Sequence, residues 1–180
     1  MKTSTIVGAA LIGAALAYLL KEPAMTAIGF AGNKGTVDRW ANTYGIKPVW
    51  CYGLVEQESG WKPSSLRMEP AYKWLPDGYP KNRVPRSYGL TQIMDAVAYE
   101  MGYRPTTDGN FDGLFDPDTN CQYGLKLFAR HLKTLSLKDA LAKYNSGRIL
   151  SDPKIPAFTR DKYVPQVMAR IENYESKGYA

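Results

Sequence analysis

Glu58 is the residue whose type and placement could do chemistry. It ends the run Val-Trp-Cys-Tyr-Gly-Leu-Val-Glu-Gln-Glu over residues 49–58. At about 100° per residue it shares a face with Cys51, Leu54 and Val55, the apolar side that packs inward. A carboxyl on a buried stripe loses hydration, which raises its pKa and suits it to donate a proton near neutral pH. Glu56 falls about 160° around the same helix and is expected in solvent. The spacing alone leaves a second reading open, a glutamate near a helix C-terminus that only bonds a loop amide. Other chemistries are poorly supplied, because the 180 residues hold one histidine and two cysteines. That leaves too few side chains for Cys/His zinc clusters or haem, and places Ser-His-Asp hydrolysis far behind. His131 falls mid-helix, where a structural role is expected.

The elements that must position Glu58 read as helices with loops. Helices are expected over 36–44 and 48–58, and from Met94 to Met101. Residues 60–90 read as irregular, with five of the twelve prolines between Lys62 and Pro85. Asp116 caps a long helix with Pro117 at its first position, and Cys121, Gly124, Leu125, Phe128 and Leu132 form its stripe. Ser136 to Asp139 is a capping-box pattern ahead of the stripe Leu137, Ala140, Leu141 and Tyr144. A last helix aligns Tyr163, Val167, Ile171 and Tyr174. No alternating run is long enough to read as a strand, so a mostly α domain is expected.

Composition agrees with one folded domain: 44% of residues are hydrophobic, with four Trp, thirteen Tyr and five Phe to bury. The net charge of +6 favours an anionic partner. No RNA-recognition or zinc-finger pattern occurs and the bases are scattered among acids, so no nucleic-acid partner is expected. Thr3 to Leu20 is uncharged and long enough as a helix to cross a bilayer. Ala9, Gly13 and Ala17 give it small-xxx-small spacing. The expected division is a membrane anchor with linker over 1–31 and a globular domain over 32–180. The alternative is secretion after cleavage near Gly29-Phe30-Ala31. Either places the domain outside the cytoplasm or at a membrane, where Cys51 and Cys121 could bridge or remain two buried thiols.

Four segments then fall in the order found in lytic transglycosylases. Glu58-Ser59-Gly60-Trp61-Lys62-Pro63 resembles the family's Glu-Ser-x-aromatic-x-Pro signature. Ser87-Tyr88-Gly89-Leu90-Thr91-Gln92-Ile93-Met94 is similar to its Gly-Leu-Met-Gln-Ile segment. Lys143-Tyr144-Asn145-Ser146-Gly147 resembles Ala-Tyr-Asn-Ala-Gly, and Tyr163-Val164-Pro165-Gln166-Val167 resembles its terminal Tyr-Val-Pro-x-Val. Asp116 to Asn120 matches the helix before the third segment. The resemblance covers about residues 45–175 and implies a lysozyme-like (goose-type, SLT) helical domain behind one N-terminal hydrophobic helix. It implies cleavage of the β-1,4 bond between N-acetylmuramic acid and N-acetylglucosamine in bacterial peptidoglycan, with no cofactor required. Glu58 would act first as acid, then as base, leaving a 1,6-anhydro ring. Gln92 and Asn145 would bond the sugar, Tyr144 would sit beside Glu58, and Tyr163 would line the groove. Ser59, Gly89 and Leu90 belong to the same segments and are placed at the substrate with them.

The departures are informative. Glu58 and Gln92 stand 34 positions apart, roughly twice the family's separation. The additional aromatic and proline-rich segment, from Arg67 to Pro80, reads either as a flap that stacks Tyr72, Trp74 and Tyr79 on substrate or as a loop packed on itself. Thr91 replaces the usual Met, and Ser87 stands where a small residue is expected. Asp108, Asn110 and Asp112 match the opening of a calcium loop, but Thr119 falls where its glutamate belongs, and a turn before the Asp116 cap is the favoured account. A hydrolytic lysozyme of the same fold would need a second acid, for which Glu69, Asp77, Asp95, Asp108 and Asp112 are available. A silent wall-binding protein is the other alternative. The setting is read as a membrane-held domain facing periplasm and wall, in a bacteriophage particle or a bacterial secretion complex.

Overall fold

The computed structural model describes residues 25–180 apart from Lys81 and Asp108. Helix α1 (25–43) starts well ahead of the expected 36–44 helix and runs unbroken across residues 31 and 32. Phe30 ties it down, its ring lying 4.9–5.4 Å from those of Tyr52, Trp61, Tyr174 and Tyr179. A cut after Ala31 would take Phe30 out of this cluster. The uncharged run over 3–20, expected to be an anchor, lies outside the described residues. Among the described residues no helix is long and apolar enough to cross a membrane.

Helix α2 (Pro48–Ser59) begins with Pro in its first turn and ends at the left-handed cap of Gly60. Val49, Cys51, Tyr52, Gly53, Leu54 and Val55 are all buried, so the helix is enclosed on most sides rather than along one stripe. Its main partner is helix α6 (Val164–Ser176). The two approach closely at Gly53, where a Cβ would meet Ile171 Cγ1 at 2.5 Å and the Val167 carbonyl at 3.1 Å. Glu56 is covered rather than solvated: Tyr174 Oη donates to its Oε2 at 2.6 Å. The helix angle places Glu56 away from Glu58, but α6 occupies that side as well.

The segment expected to be irregular contains a small antiparallel sheet. Strand β1 (Leu66–Met68) pairs with β2 (Arg86–Tyr88) in the register Arg67↔Ser87, and β2 pairs with β3 (Ile93–Met94) through Ser87↔Met94. Strands of two or three residues carry no readable alternation, which is why the sequence does not announce them. Helix α3 (Asp95–Glu100) follows at once. After a 3₁₀ turn (Asp112–Phe115), helix α4 (Pro117–Leu132) opens on Asp116, whose carboxylate accepts from the Thr119 amide at 2.9 Å. Helix α5 (Leu137–Ser146) opens on Ser136, whose hydroxyl accepts from the Asp139 amide. Tyr163 closes a π turn (Thr159–Tyr163) that runs into α6, rather than standing in the α-helix.

Two cores result. The larger joins α1, α2, α5 and α6 with one face of α4, around Trp61, Leu54, Phe128, Leu141 and Val167. The smaller lies under the sheet and α3, around Tyr79, Tyr88, Ile93, Phe111 and Leu114. Helix α4 divides them: Phe128 belongs to the larger, its neighbour Leu127 to the smaller. Cys51 and Cys121 are both buried, unbridged thiols in the larger core, and burial pushes Cys121 up to about 12.

Candidate active site

Glu58 stands at the C-terminal end of α2, where the larger core meets a groove of about 530 Å³. Glu58 lines the groove yet is largely enclosed, and burial pushes its pKa up to about 7. Tyr163, from the π turn, donates a hydrogen bond to Glu58 Oε1. That bond favours the carboxylate and works against burial, as does Arg67, while Glu69 works with burial. Burial, then the Glu58 carboxylate, holds the Tyr163 and Tyr144 phenols well above their usual range. Both tyrosines therefore remain protonated donors. Tyr144 spends its proton on the Thr91 carbonyl at 2.8 Å.

The π turn does a second task. Thr159 Oγ1 donates to Asn145 Oδ1 at 2.7 Å, fixing the amide so that its NH2 is left for the groove. Gln92 is fixed in the opposite sense. Its Nε2 donates to the Ser65 and Gly89 carbonyls at 3.2 and 3.1 Å, leaving Oε1 as an acceptor. Gln92 also adopts φ of 48°, a left-handed backbone that costs a non-glycine residue about 1 kcal/mol. The loop holding it is secured by Asn120 of α4, whose Oδ1 accepts from the Thr91 amide and hydroxyl at 2.9 and 2.7 Å. Asn120 Nδ2 donates to the Tyr88 and Leu114 carbonyls at 2.7 and 2.8 Å, which satisfies the whole side-chain amide. Gly89 (φ 69°) lets Asn120 in, since a Cβ there would strike the Asn120 side chain.

Glu58, Gln92, Tyr144, Asn145 and Tyr72 thus share one groove. The other expected contact residues do not turn toward it. Ser59 is buried and donates to the Val55 carbonyl, Leu90 lies in the larger core, and Gly89 serves the turn just described. Thr91 likewise faces Asn120 and Gly124. Tyr163 touches Glu58 from beneath rather than lining the open groove. The aromatic segment splits three ways. Tyr72 lines the groove, Trp74 is 56% exposed, and Tyr79 is buried against Phe111 and Tyr99. A ring packed in a core cannot stack on substrate, which corrects the expectation for Tyr79.

Sequence reasoning does not place Arg67 and Ser87 on the sheet side of the lining, or Arg130, His131 and Lys143 on the helical side, and it offers Glu69 only as one of several acids. Glu69 Oε1 accepts from Ser87 Oγ at 2.7 Å and from Arg67 Nε at 2.6 Å. Of the acids available as a second carboxylate, Glu69 alone lines the groove among the described residues. Asp95 is wholly buried and paired with Arg83 at 3.0 Å. His131 borders the groove and is held neutral, burial and then Lys143 and Arg130 lowering its pKa to about 4. Asn110 Oδ1 accepts from the Asp112 amide at 2.8 Å, a turn bond, and Asp108 lies outside the described residues. Among the described residues no cluster of His, Cys, Asp or Glu could hold a metal.

A helical domain that seats an enclosed glutamate at a groove between two cores has the lysozyme-like architecture. The transglycosylase SLT domain matches residues 35–155, and the chain belongs to that family. Its fold is similar to that of lytic transglycosylase Slt from Pseudomonas aeruginosa, solved as an inactive Glu-to-Gln mutant, with a TM-score of 0.59 and 21% identity. The match takes in 79% of this chain and 24% of that one, so the chain spans about a quarter of that protein's length. No curated protein matches the sequence.

Proposed function

We propose that this protein is a peptidoglycan lytic transglycosylase that cuts the β-1,4 bond after N-acetylmuramic acid without consuming water. The observation that carries this reading is Glu58, which lines the groove and is enclosed enough that its pKa rises to about 7, so that a protonated acid is present near neutral pH. Glu58 gives its proton to the bridging oxygen as the bond to C1 breaks. The acetamido oxygen of the same sugar shares the positive charge left at C1. The C6 hydroxyl then attacks C1 and returns its proton to Glu58, which restores the acid and leaves a 1,6-anhydro ring. The Tyr163 hydrogen bond steadies the carboxylate during the interval. The free NH2 of Asn145 and the free Oε1 of Gln92 are a donor and an acceptor, the complement of an acetamido C=O and N–H. No cofactor enters these steps. The run over 3–20 would hold the domain at a membrane beside the wall, in a particle or secretion complex.

A second reading rests on Glu69, which shares the groove with Glu58 and could hold an attacking water. Its Oε1 is already engaged by Ser87 and Arg67, which favours the first. Mass analysis of muropeptides released by the full chain separates the two. Anhydro products, about 18 Da lighter for the missing water, are expected from the native protein and none from Glu58→Gln. Reducing-end products that disappear in Glu69→Gln would establish the hydrolase instead. No release by the native protein would leave a binding module.

A further inference from the structure

The charges around the groove are sorted. On the sheet side Arg67 and Glu69 are paired, and both act on Glu58. On the opposite side Arg130 and His131 from the end of α4 and Lys143 from α5 converge on the same cavity. Among the described residues neither Arg130 nor Lys143 has an ion-pair partner. The remaining acid on the lining, Glu100, lies toward Tyr72, whose phenol it helps to raise. His131, wedged between the two cations, is neutral, so this wall carries two uncompensated positive charges. The chain also departs here from the motif it resembles, Lys143 standing where Ala is usual before Tyr-Asn.

We propose that Arg130 and Lys143 form a carboxylate subsite that makes this groove prefer glycan strands bearing free carboxylates, carried either by the peptide stem or by the lactyl arm of a bare muramic acid. The inference rests on the groove being the glycan site, as proposed above. Two unpaired cations at the rim of a half-enclosed groove lower the energy of an anion entering it and place no group on the reacting bond. The effect therefore belongs to binding: KM moves and kcat does not.

The experiment compares the full chain with the Arg130→Ala/Lys143→Ala double variant on three sacculus preparations. One is untreated, one has its carboxylates capped as amides with carbodiimide and glycinamide, and one is stripped of stems by an amidase. On untreated wall the double variant is expected to raise KM about tenfold with kcat within about twofold. Capping raises the native protein's KM by a similar factor and adds nothing to the variant. The lactyl carboxylate is free only on stripped wall. A difference that persists there shows that the subsite accepts the lactyl as well as the stem carboxylate, and its disappearance restricts the subsite to the stem. A variant that loses as much on capped as on untreated wall, or loses nothing on either, overturns the proposal. Cosedimentation of Glu58→Gln, with and without the two alanines, reads binding to the same sacculi without turnover. A chain that binds but cuts nothing would sink the enzymatic reading while still deciding the subsite. Both positions lie on helices with side chains toward solvent or groove, where Ala is the better helix former, and an unchanged melting temperature checks the fold.

Discussion

The two cores on either side of α4 are held together by different physics. The larger is apolar throughout its middle, with Trp61, Tyr52, Leu54 and Phe128 enclosed and few polar atoms to satisfy. The smaller is tied by polar groups. Arg83 donates to buried Asp95, to the Gly109 carbonyl at 2.6 Å and to Tyr88, while its guanidinium lies 4.9 Å over the Phe111 ring. Asp95 Oδ1 accepts in turn from the Arg86 and Ala96 amides. The contrast follows from the chain. Helices bury stripes and need only caps, whereas the long 69–85 connection has no ladder of its own and must be stapled by side chains. Glu58 draws on both, its protonation coming from the dry side and its access from the stapled side.

The contrast breaks most severely at Glu58 itself. Glu58→Gln is expected to lower the rate of wall cleavage at least about 1,000-fold, read as muropeptide release. The same variant tests the dry side. A carboxyl whose pKa is about 7 folded against 4.5 in the reference state keeps its proton while the unfolded chain loses it. Stability is therefore lost as pH rises from the lower value to the upper. Glu58→Gln should be the more stable protein at pH 8, by about 3 kcal/mol, with the gain vanishing near pH 4 in thermal melts.

Next in size is the staple. Arg83→Met leaves Asp95 buried without its cation and should cost about 3 kcal/mol. If the two regions are as distinct as their chemistry suggests, hydrogen exchange will quicken over 66–115 and stay slow in α2 and α6. Uniform acceleration would show one cooperative unit instead. Tyr163→Phe is smaller still. Losing the bond that favours the carboxylate raises the Glu58 pKa, so the alkaline limb of the pH–rate profile should move upward and kcat fall about tenfold. A limb that moves down would mean that Tyr163 stabilises the acid form. The smallest pair lies in the aromatic segment. Tyr72→Ala should raise KM about fivefold, whereas exposed Trp74→Ala should leave it within about twofold, by the contact each ring makes with the groove.

These regions also differ in how far the sequence discloses them. Caps at Asp116 and Ser136, the stripes of α4 and α5, and the inward face that carries Glu58 are local patterns, and local patterns survive folding. Glu56 shows the limit: its angle is right, but only the path of α6 puts Tyr174 over it. The sheet is too short to leave a period. Asp95 reads as an acid available for a second carboxylate, and its burial depends on an arginine 12 residues away. The walls of the groove are the least legible, because the Arg67–Glu69 segment, Arg130 of α4 and Lys143 of α5 meet only in three dimensions. Asn120 was on view as part of a motif, but its role as the hub for Thr91 and Tyr88 follows from the fold.

Gly53 lets α2 and α6 touch, and Tyr163 stands one turn ahead of Val167 on the far side of that contact. The separation of the two helices thus also bears on the hydrogen bond that offsets burial in deciding how readily Glu58 parts with its proton. A methyl group at position 53, remote from any sugar, would act as a spacer that detunes the acid, so that interhelical packing here is a dial on acidity as well as a source of stability.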